Sequence, residues 1–461
     1  MSILKPDPTF YPSARQAMQA PPETFGHVVY LNDGNGKPDG IAVVDLNPQS
    51  DSYSQIINML EFPNLGDELH HFGWNACSSA LCPPSPHPHL ERRYLIVPTL
   101  RTSRIYIVDT MPDPKNPTLV KTIDTDEIKD RAGYTRLHTV HCGPDAIYVN
   151  ALGGTQDGTG PGGVFMLDHF SFDVLGPWEI DRGSQYLAYD FWWHIGHDVM
   201  VTSEWGTPSI FEKGLSLEDV INQRFGHKLH FWDMRKRKHI QEVDLGAEHQ
   251  MTLEIRPAHN PIKTYGFTGI VVSTKDLSTS IWTYYQENNE WKAVKTIEIP
   301  AEPADPDELP DAVKPLKAVP PLITDLNLSL DDKFLYVSCW GTGELHQYDV
   351  TDPFNPRLTG TVRLGGITRK AAHPKSGPLN GGPQMVEISR DGKRVYVTNS
   401  LYSTWDNQFY PGLQGWMTKI NVNPEGGMEI DPDFFVDFGD MRPHQTRLEG
   451  GDASTDSYCF P

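Results

Sequence analysis

Leu322-Ile-Thr-Asp-Leu-Asn-Leu-Ser329, Phe334-Leu-Tyr-Val-Ser338 and Glu344-Leu-His-Gln-Tyr-Asp349 are three short runs rich in branched and aromatic residues, with the polar turn Leu330-Asp-Asp-Lys333 after the first. Runs of this length, punctuated by turn residues, are strands. The same order returns downstream at 383–389, 395–398 and 416–420, again with a turn (Arg390-Asp-Gly-Lys393) after the first run. Upstream it returns at 252–256, 266–272 and 280–284, at 189–193, 198–202 and 228–233, and at 137–141, 146–150 and 163–168. A further copy combines 67–79 with 94–100 and 104–109, and the third run often ends in Asp, as at Asp109, Asp168, Asp233 and Asp349. A single antiparallel sheet of this kind cannot bury both faces, so the copies must stack radially as an all-β propeller. Six units are complete, and a seventh forms if 444–452 supplies the inner strand beside 27–31 and 40–45. The expected fold is a seven-bladed β-propeller with loop insertions, closed by N- and C-terminal strands in one blade, which leaves no open edge. Residues 1–26 read as a polar, Pro-rich arm and 27–461 as one propeller domain, with the acidic insertion 300–321 as a decorated loop.

The unit register also sorts the histidines. Aligning on the turn after the inner strand places Asp331, Asp391 and Asp145 together, and seven residues earlier lie Thr324, Gln384 and His138. The same count from Ser78 reaches His71, and from Gly451 it reaches His444. Three histidines from three blades therefore fall at the mouth of the inner strand, where a propeller's channel converges. His71 belongs to the densest chemical stretch of the chain, Asp67-Glu-Leu-His-His-Phe-Gly-Trp-Asn-Ala-Cys-Ser-Ser79, and His138 to His138-Thr-Val-His-Cys142. Imidazole and thiol together are donors for soft and borderline metals. The plainer alternative is a set of structural histidines. Adjacent strand residues face opposite sides, so His70 and His71 reach one point only if the strand begins or bends there. His138 and His141 share the difficulty, and His141, His197 and His259 stay open between supporting and structural roles.

Composition excludes several classes. A net charge of −21 argues against nucleic acid and anionic membrane partners. No apolar run is long enough for a transmembrane helix, and the first residues lack a secretory layout, so a cytoplasmic protein is the expectation. The five cysteines, at 77, 82, 142, 339 and 459, suggest no disulfide or zinc framework and fit a reducing compartment. The Gly-rich segment 153–163 lacks the Lys and helix of a phosphate loop, and His87 and His89 sit in a Pro-rich loop that reads as solvated. Trp192, Trp193, Trp205 and Trp232 read as blade packing.

Several strings resemble one family. The stretches at 67–79 and 138–142, Tyr189-Asp-Phe-Trp192, Thr202-Ser-Glu-Trp205, Gly381-Gly-Pro-Gln-Met385, Ser400-Leu-Tyr-Ser-Thr-Trp-Asp-Asn-Gln-Phe-Tyr-Pro411 and His444-Gln-Thr-Arg-Leu-Glu-Gly-Gly-Asp452 are similar to the selenium-binding protein / methanethiol oxidase family. The resemblance implies a copper-dependent oxidation of methanethiol by O2 and water to formaldehyde, hydrogen sulfide and hydrogen peroxide. It carries copper ligation onto His70, His71, His138 and His444, and selenium binding onto Cys77. Some members have a second cysteine where this chain has Ala80. Imidazoles suit copper, which the Irving–Williams order favours among divalent ions. Glu68, Glu204 and Glu254 are candidates to orient ligand N–H groups. The alternative function is a non-catalytic selenium- or metal-binding protein using Cys77; a third is a scaffold propeller. The expected partners are a small thiol and O2, with no reading of catalytic base or oligomeric state.

Overall fold

Seven antiparallel sheets surround a central axis as a seven-bladed β-propeller; the computed structural model describes residues 5–34 and 36–461. The sixth blade shows why the sequence pattern worked. Its strands, from the axis outward, are Ile323–Leu328, Phe334–Cys339, Glu344–Asp349 and Arg357–Arg363. The inner three are buried on both faces by the neighbouring blades, so they read as near-continuous apolar runs, while the outermost is largely exposed. Leu326, Leu328, Leu335 and Val337 share one core with Leu253 and Phe267 of the fifth blade. Each such side chain contributes about 1.5–3 kcal/mol of burial. The ring is held by these interblade layers.

Closure occurs in the first blade. Arg442–Leu448 is its inner strand and pairs antiparallel with Phe25–Leu31, followed outward by Gly40–Asp45 and Ile56–Glu61. Gly26 faces Leu448 and Leu31 faces Arg442 across the ladder. The acidic insertion forms a small hairpin, Glu302–Pro303 with Ala318–Val319.

We call the end of the ring where inner strands begin the upper face. Short helices Pro208–Phe211, Leu217–Ile221 and Ser403–Phe409 cover it. Both chain ends seal the lower face. Ala14 and Ala17 of the N-terminal arm pack with Leu330, Phe334 and Tyr458. The buried Asp456 carboxylate takes Arg92 Nη1 and Nη2 at 2.9 and 2.8 Å and the Ser78 hydroxyl at 2.6 Å. Cys82 and Cys459 form a disulfide, with Cα atoms 5.5 Å apart. This corrects the expectation of no disulfide and removes the thiol argument for a reducing compartment. The bridge joins residues 377 positions apart, and only the folding of the tail across the lower face brings them together. Among the described residues no helix is long and apolar enough to cross a membrane.

Candidate functional site

His70, His71, His138 and His444 meet at the upper end of the channel. Ring centroids are 4.1 Å apart for His71 and His138, 4.5 Å for His70 and His444, 5.3 Å for His71 and His444, and 6.1 Å for His70 and His138. Backbone irregularity answers the facing difficulty in each segment. His70, His71 and Phe72 lie in a non-strand run between an isolated bridge at Leu69 and the short strand Gly73–Trp74. Glu68, just before, has a left-handed φ of 58°. That conformation is disfavoured for a side chain with a Cβ, and the Asp39 carboxylate steadies it by accepting the Glu68 N–H at 2.7 Å. His138 sits where the pairing of Tyr134–Cys142 with Ile147–Gly154 slips between Leu137 and Val140. His444 sits opposite a second slip, between Val28 and Tyr30. Such bulges re-aim a side chain, and here they turn imidazoles from separate blades toward one another.

The four rings are almost completely buried. Burial, then the nearby imidazoles, drive His71 and His444 well below the ordinary histidine pKa; burial and His70 do the same to His138. These three are neutral at physiological pH and present lone pairs. Several ring nitrogens have no protein hydrogen-bond partner: His70 Nδ1, His71 Nε2 and His444 Nδ1. Orphaned buried donors and acceptors are costly, so a cluster of them within a few ångströms of one another is a fit for a metal ion held by imidazole. The rings are not in ligating array as they stand: His70 and His444 stack within 8° of parallel, and among the described residues no three His, Cys, Asp or Glu side chains already form a ligand set. Gln445 accepts the Phe72 N–H at 2.8 Å and places its amide nitrogen 3.1 Å from His71 Nδ1. That pairing leaves the proton of neutral His71 on Nε2, so ligation through Nε2 requires the Gln445 contact to reorganise.

The remaining candidates separate. Glu68 belongs to the site: its Oε1 lies 3.3 Å from His70 Nε2 and accepts the Ser403 N–H at 3.0 Å, while Oε2 meets Arg101. Burial opposes its ionisation, but His70 and Arg101 outweigh burial and bring the carboxyl to about 2. Glu254 touches the site through Tyr189, whose hydroxyl donates to Glu254 Oε1 at 3.2 Å and whose ring lies 4.7 Å from His138. Burial and then Asp325 push the Glu254 carboxyl well above the usual carboxylate range. Glu204 is elsewhere: it is bound to His230 Nε2 at 2.9 Å. His141 packs on Trp192 at 4.3 Å instead of joining the four rings. His259 is fixed to the Leu328 carbonyl at 3.0 Å and the Asp332 carboxylate at 2.7 Å. His197 lies in the short helical turn Ile195–His197 at the lower end of the fourth blade. Cys77 is at the lower end of the second blade, against Ser79 Oγ at 3.1 Å and the Cys142 carbonyl at 3.4 Å. Burial raises its pKa, but the Cys142 and Ser79 hydrogen bonds prevail and lower it.

Sequence reasoning missed Tyr189, Tyr402, Gln445 and Asp39. Tyr402 lays its ring 4.8 Å from His70, with its hydroxyl unpartnered. Tyr189, Tyr402 and Gln445 lie inside strings that the family resemblance rests on, so the signal was present without a role attached. A cavity of about 290 Å³, lined by Asn32, Asp33, Glu68, Arg101, Ser403 and Thr404, opens beside Glu68 on the upper face.

A propeller that gathers imidazoles from three blades at its channel mouth is a ring scaffold with a donor-rich axial site. Within that class the chain belongs to the 56kDa selenium binding protein (SBP56) family, whose model matches residues 4–459. It is 40% identical to a methanethiol oxidase of Xenopus laevis over 97% of both chains. It is 38% identical to selenium-binding protein 3 of Arabidopsis thaliana, over 97% of this chain and 96% of that one. A crystal structure of a hypothetical selenium-binding protein from Sulfolobus tokodaii superposes with a TM-score of 0.96 at 61% identity, covering 99% of this chain and all of the other.

Proposed function

We propose that this protein is a copper-dependent thiol oxidase that converts methanethiol, O2 and water to formaldehyde, hydrogen sulfide and hydrogen peroxide. The observation that carries the reading is the convergence of four buried imidazoles from three blades, with ring nitrogens that no protein group satisfies. The naming of relatives at about 40% identity as methanethiol oxidases supports the substrate. His70, His71, His138 and His444 would hold the ion. Bound copper supplies redox chemistry toward O2 and favours the thiolate form of a coordinated thiol. The protein's own part is positional. Glu68, ionised and clamped by Arg101 and Ser403, orients His70. Gln445 orients His71, and Tyr189 and Tyr402 wall the rings against bulk water. The cavity beside Glu68 is the approach for a small thiol. Cytoplasmic residence stays part of this proposal.

The test is metal analysis of the purified protein with a peroxide assay on methanethiol. Copper bound in stoichiometric amount with peroxide released supports the oxidase. A second reading rests on Cys77, whose thiol pKa is lowered: a selenium-binding protein without turnover. Cys77 lies at the lower end of the second blade, past the short strand Gly73–Trp74 from His71, so selenite labelling lost in Cys77→Ala, with no peroxide release by the wild type, would favour it.

A further inference from the structure

A second group of histidines lies at the lower face, outside the channel. His87 and His89 come from the loop Cys82-Pro-Pro-Ser-Pro-His-Pro-His89 of the second blade. His169 comes from the turn after Gly163–Leu167 in the third. The His87 ring centroid is 5.8 Å from that of His169 and 6.1 Å from that of His89. Phe170 closes one side, edge-on to His87 at 5.1 Å and stacked on His89 at 5.9 Å.

This group is built, not scattered. The loop is pinned at one end by the Cys82–Cys459 disulfide and in its middle by Ser85 Oγ, which donates to the Pro144 carbonyl at 3.0 Å. Four prolines in seven residues (83–89) fix their own φ angles, so little loop entropy remains to lose on binding. The His169 turn is held by Asp168 Oδ1, which accepts the Phe170 and Ser171 N–H groups, both at 2.8 Å. His169 is only 3% exposed, yet neither of its ring nitrogens has a hydrogen-bond partner of ordinary geometry. The Gly143 backbone bears on one ring nitrogen as a hydrogen-bond acceptor outside ordinary geometry, and the Asp145 and Asp168 carboxylates act on the ring electrostatically. His89 Nδ1 is likewise buried and unpartnered. A buried imidazole with at least one nitrogen free of any protein partner asks for a ligand.

We propose that His87, His89 and His169 form a second metal site, for a borderline divalent ion such as Cu(II) or Zn(II), clasping the second and third blades at the lower face. With metal–nitrogen bonds of about 2.0–2.1 Å, two imidazoles on one ion have ring centres roughly 5–6 Å apart, the spacing found for His87 with His169. The three donors do not yet point at one place. His87 and His89 are half-exposed and reach it by side-chain rotation, whereas His169 is already fixed. Water completes the coordination, and the nearby carboxylates favour a cation. The channel histidines sit at the upper end of the ring and this group at the lower face, with the strand Tyr134–Cys142 running between the two ends, so the two sites are separate.

The test uses the full-length protein, stripped with chelator and titrated with Cu(II) and, separately, Zn(II), with metal content read by mass spectrometry. Four forms are compared: wild type, H87A/H89A, the channel variant H71A/H138A, and the combination of the two double variants. The wild type should hold one equivalent more than H87A/H89A, and H71A/H138A should keep that equivalent. The Cu(II) electron paramagnetic resonance spectrum of H71A/H138A should show nitrogen hyperfine coupling, and adding H87A/H89A to it should abolish that coupling. His87 and His89 are partly exposed, so their loss should leave the thermal melt of the stripped protein in place. Equal metal content in wild type and H87A/H89A overturns the proposal, as does a spectrum unchanged by H87A/H89A. Both results leave the channel reading standing, because that site is scored in H87A/H89A.

Discussion

Replacing His444 by Ala tests the site and the ring closure together. His444 is buried on the closing strand with Nδ1 unpartnered. Truncating a large buried side chain costs about 2–4 kcal/mol in lost packing, but here it also removes a buried polar group whose lack of a partner already costs about 1–3 kcal/mol. The two nearly offset, leaving a net change within about 2 kcal/mol. For 461 residues the unfolding entropy near the melting point is about 1 kcal/mol per kelvin, taking about 2.1 cal/mol/K per residue. The metal-free variant should therefore melt within about 2 °C of the metal-free wild type. Copper should act differently on the two. At a hundredfold excess over Kd a bound ligand adds about 2.7 kcal/mol, raising the wild-type melting temperature by about 3 °C, and the variant should lose that rise together with its copper content. The assay is scanning calorimetry with and without Cu(II), beside metal analysis. A variant that binds copper normally would falsify the placement of the C-terminal strand at the site. A fall of more than about 5 °C without metal would mark His444 as a structural residue.

Three other outcomes follow from the geometry. Cys77→Ala should keep full copper content while losing any selenium label, because the thiol lies at the far end of its blade; copper loss would join two sites that the fold separates. Asp456→Ala leaves Arg92 buried without its carboxylate, a loss of about 3–5 kcal/mol, so the melt should fall by about 3–5 °C with copper unaffected, and an unchanged melt would mean the tail latch contributes nothing. His27, driven down to about 4 by burial, is neutral when folded and protonates near 6.5 when unfolded. It therefore stabilises above pH 6.5 and loses that contribution as pH falls toward 4, at about 1.4 kcal/mol per pH unit. Asp39, Asp325 and Asp406, each raised to about 7 mainly by burial, act in the opposite sense. The reading is therefore the difference between wild type and H27Q in denaturant melts at pH 7.5 and 5, and equal slopes would contradict it.

The blade count was legible because a propeller repeats one local pattern: inner strands buried on both faces, a polar turn, and an Asp ending the third strand. Closure was legible for the same reason, since a C-terminal half-blade without outer strands pairs with N-terminal strands that lack an inner one. What could not be read were contacts made only by the finished ring. Cys82 and Cys459 meet because both chain ends fold under the lower face. Glu204, which its composition and position marked as a helper of the site, is taken by His230 instead, because a side chain's orientation within a blade depends on strand pairing and not on proximity in sequence. His197 and His259 fail likewise, one in a lower turn and the other bonded to the sixth blade's backbone.

The channel histidines show where a sequence argument stops and physics resumes. A constant count from the inner-strand turn brought His71, His138 and His444 to the same height, and Thr324 with Gln384 takes the matching level in the sixth and seventh blades, where the Thr324 hydroxyl donates to the Gln384 carbonyl at 3.3 Å. Height alone does not give direction. In a regular strand the adjacent His70 and His71 would point oppositely, yet both reach the cluster because residues 70–72 leave the ladder and Glu68 adopts a left-handed backbone. His138 and His444 gain their direction from slips in pairing. These departures sacrifice ladder hydrogen bonds at the one level of the channel where four imidazoles collect. Bulges re-aim side chains and gather near functional sites; such departures appear in all three segments that supply the rings, and the sixth blade has a slip at the same level, between Ile323 and Asp325.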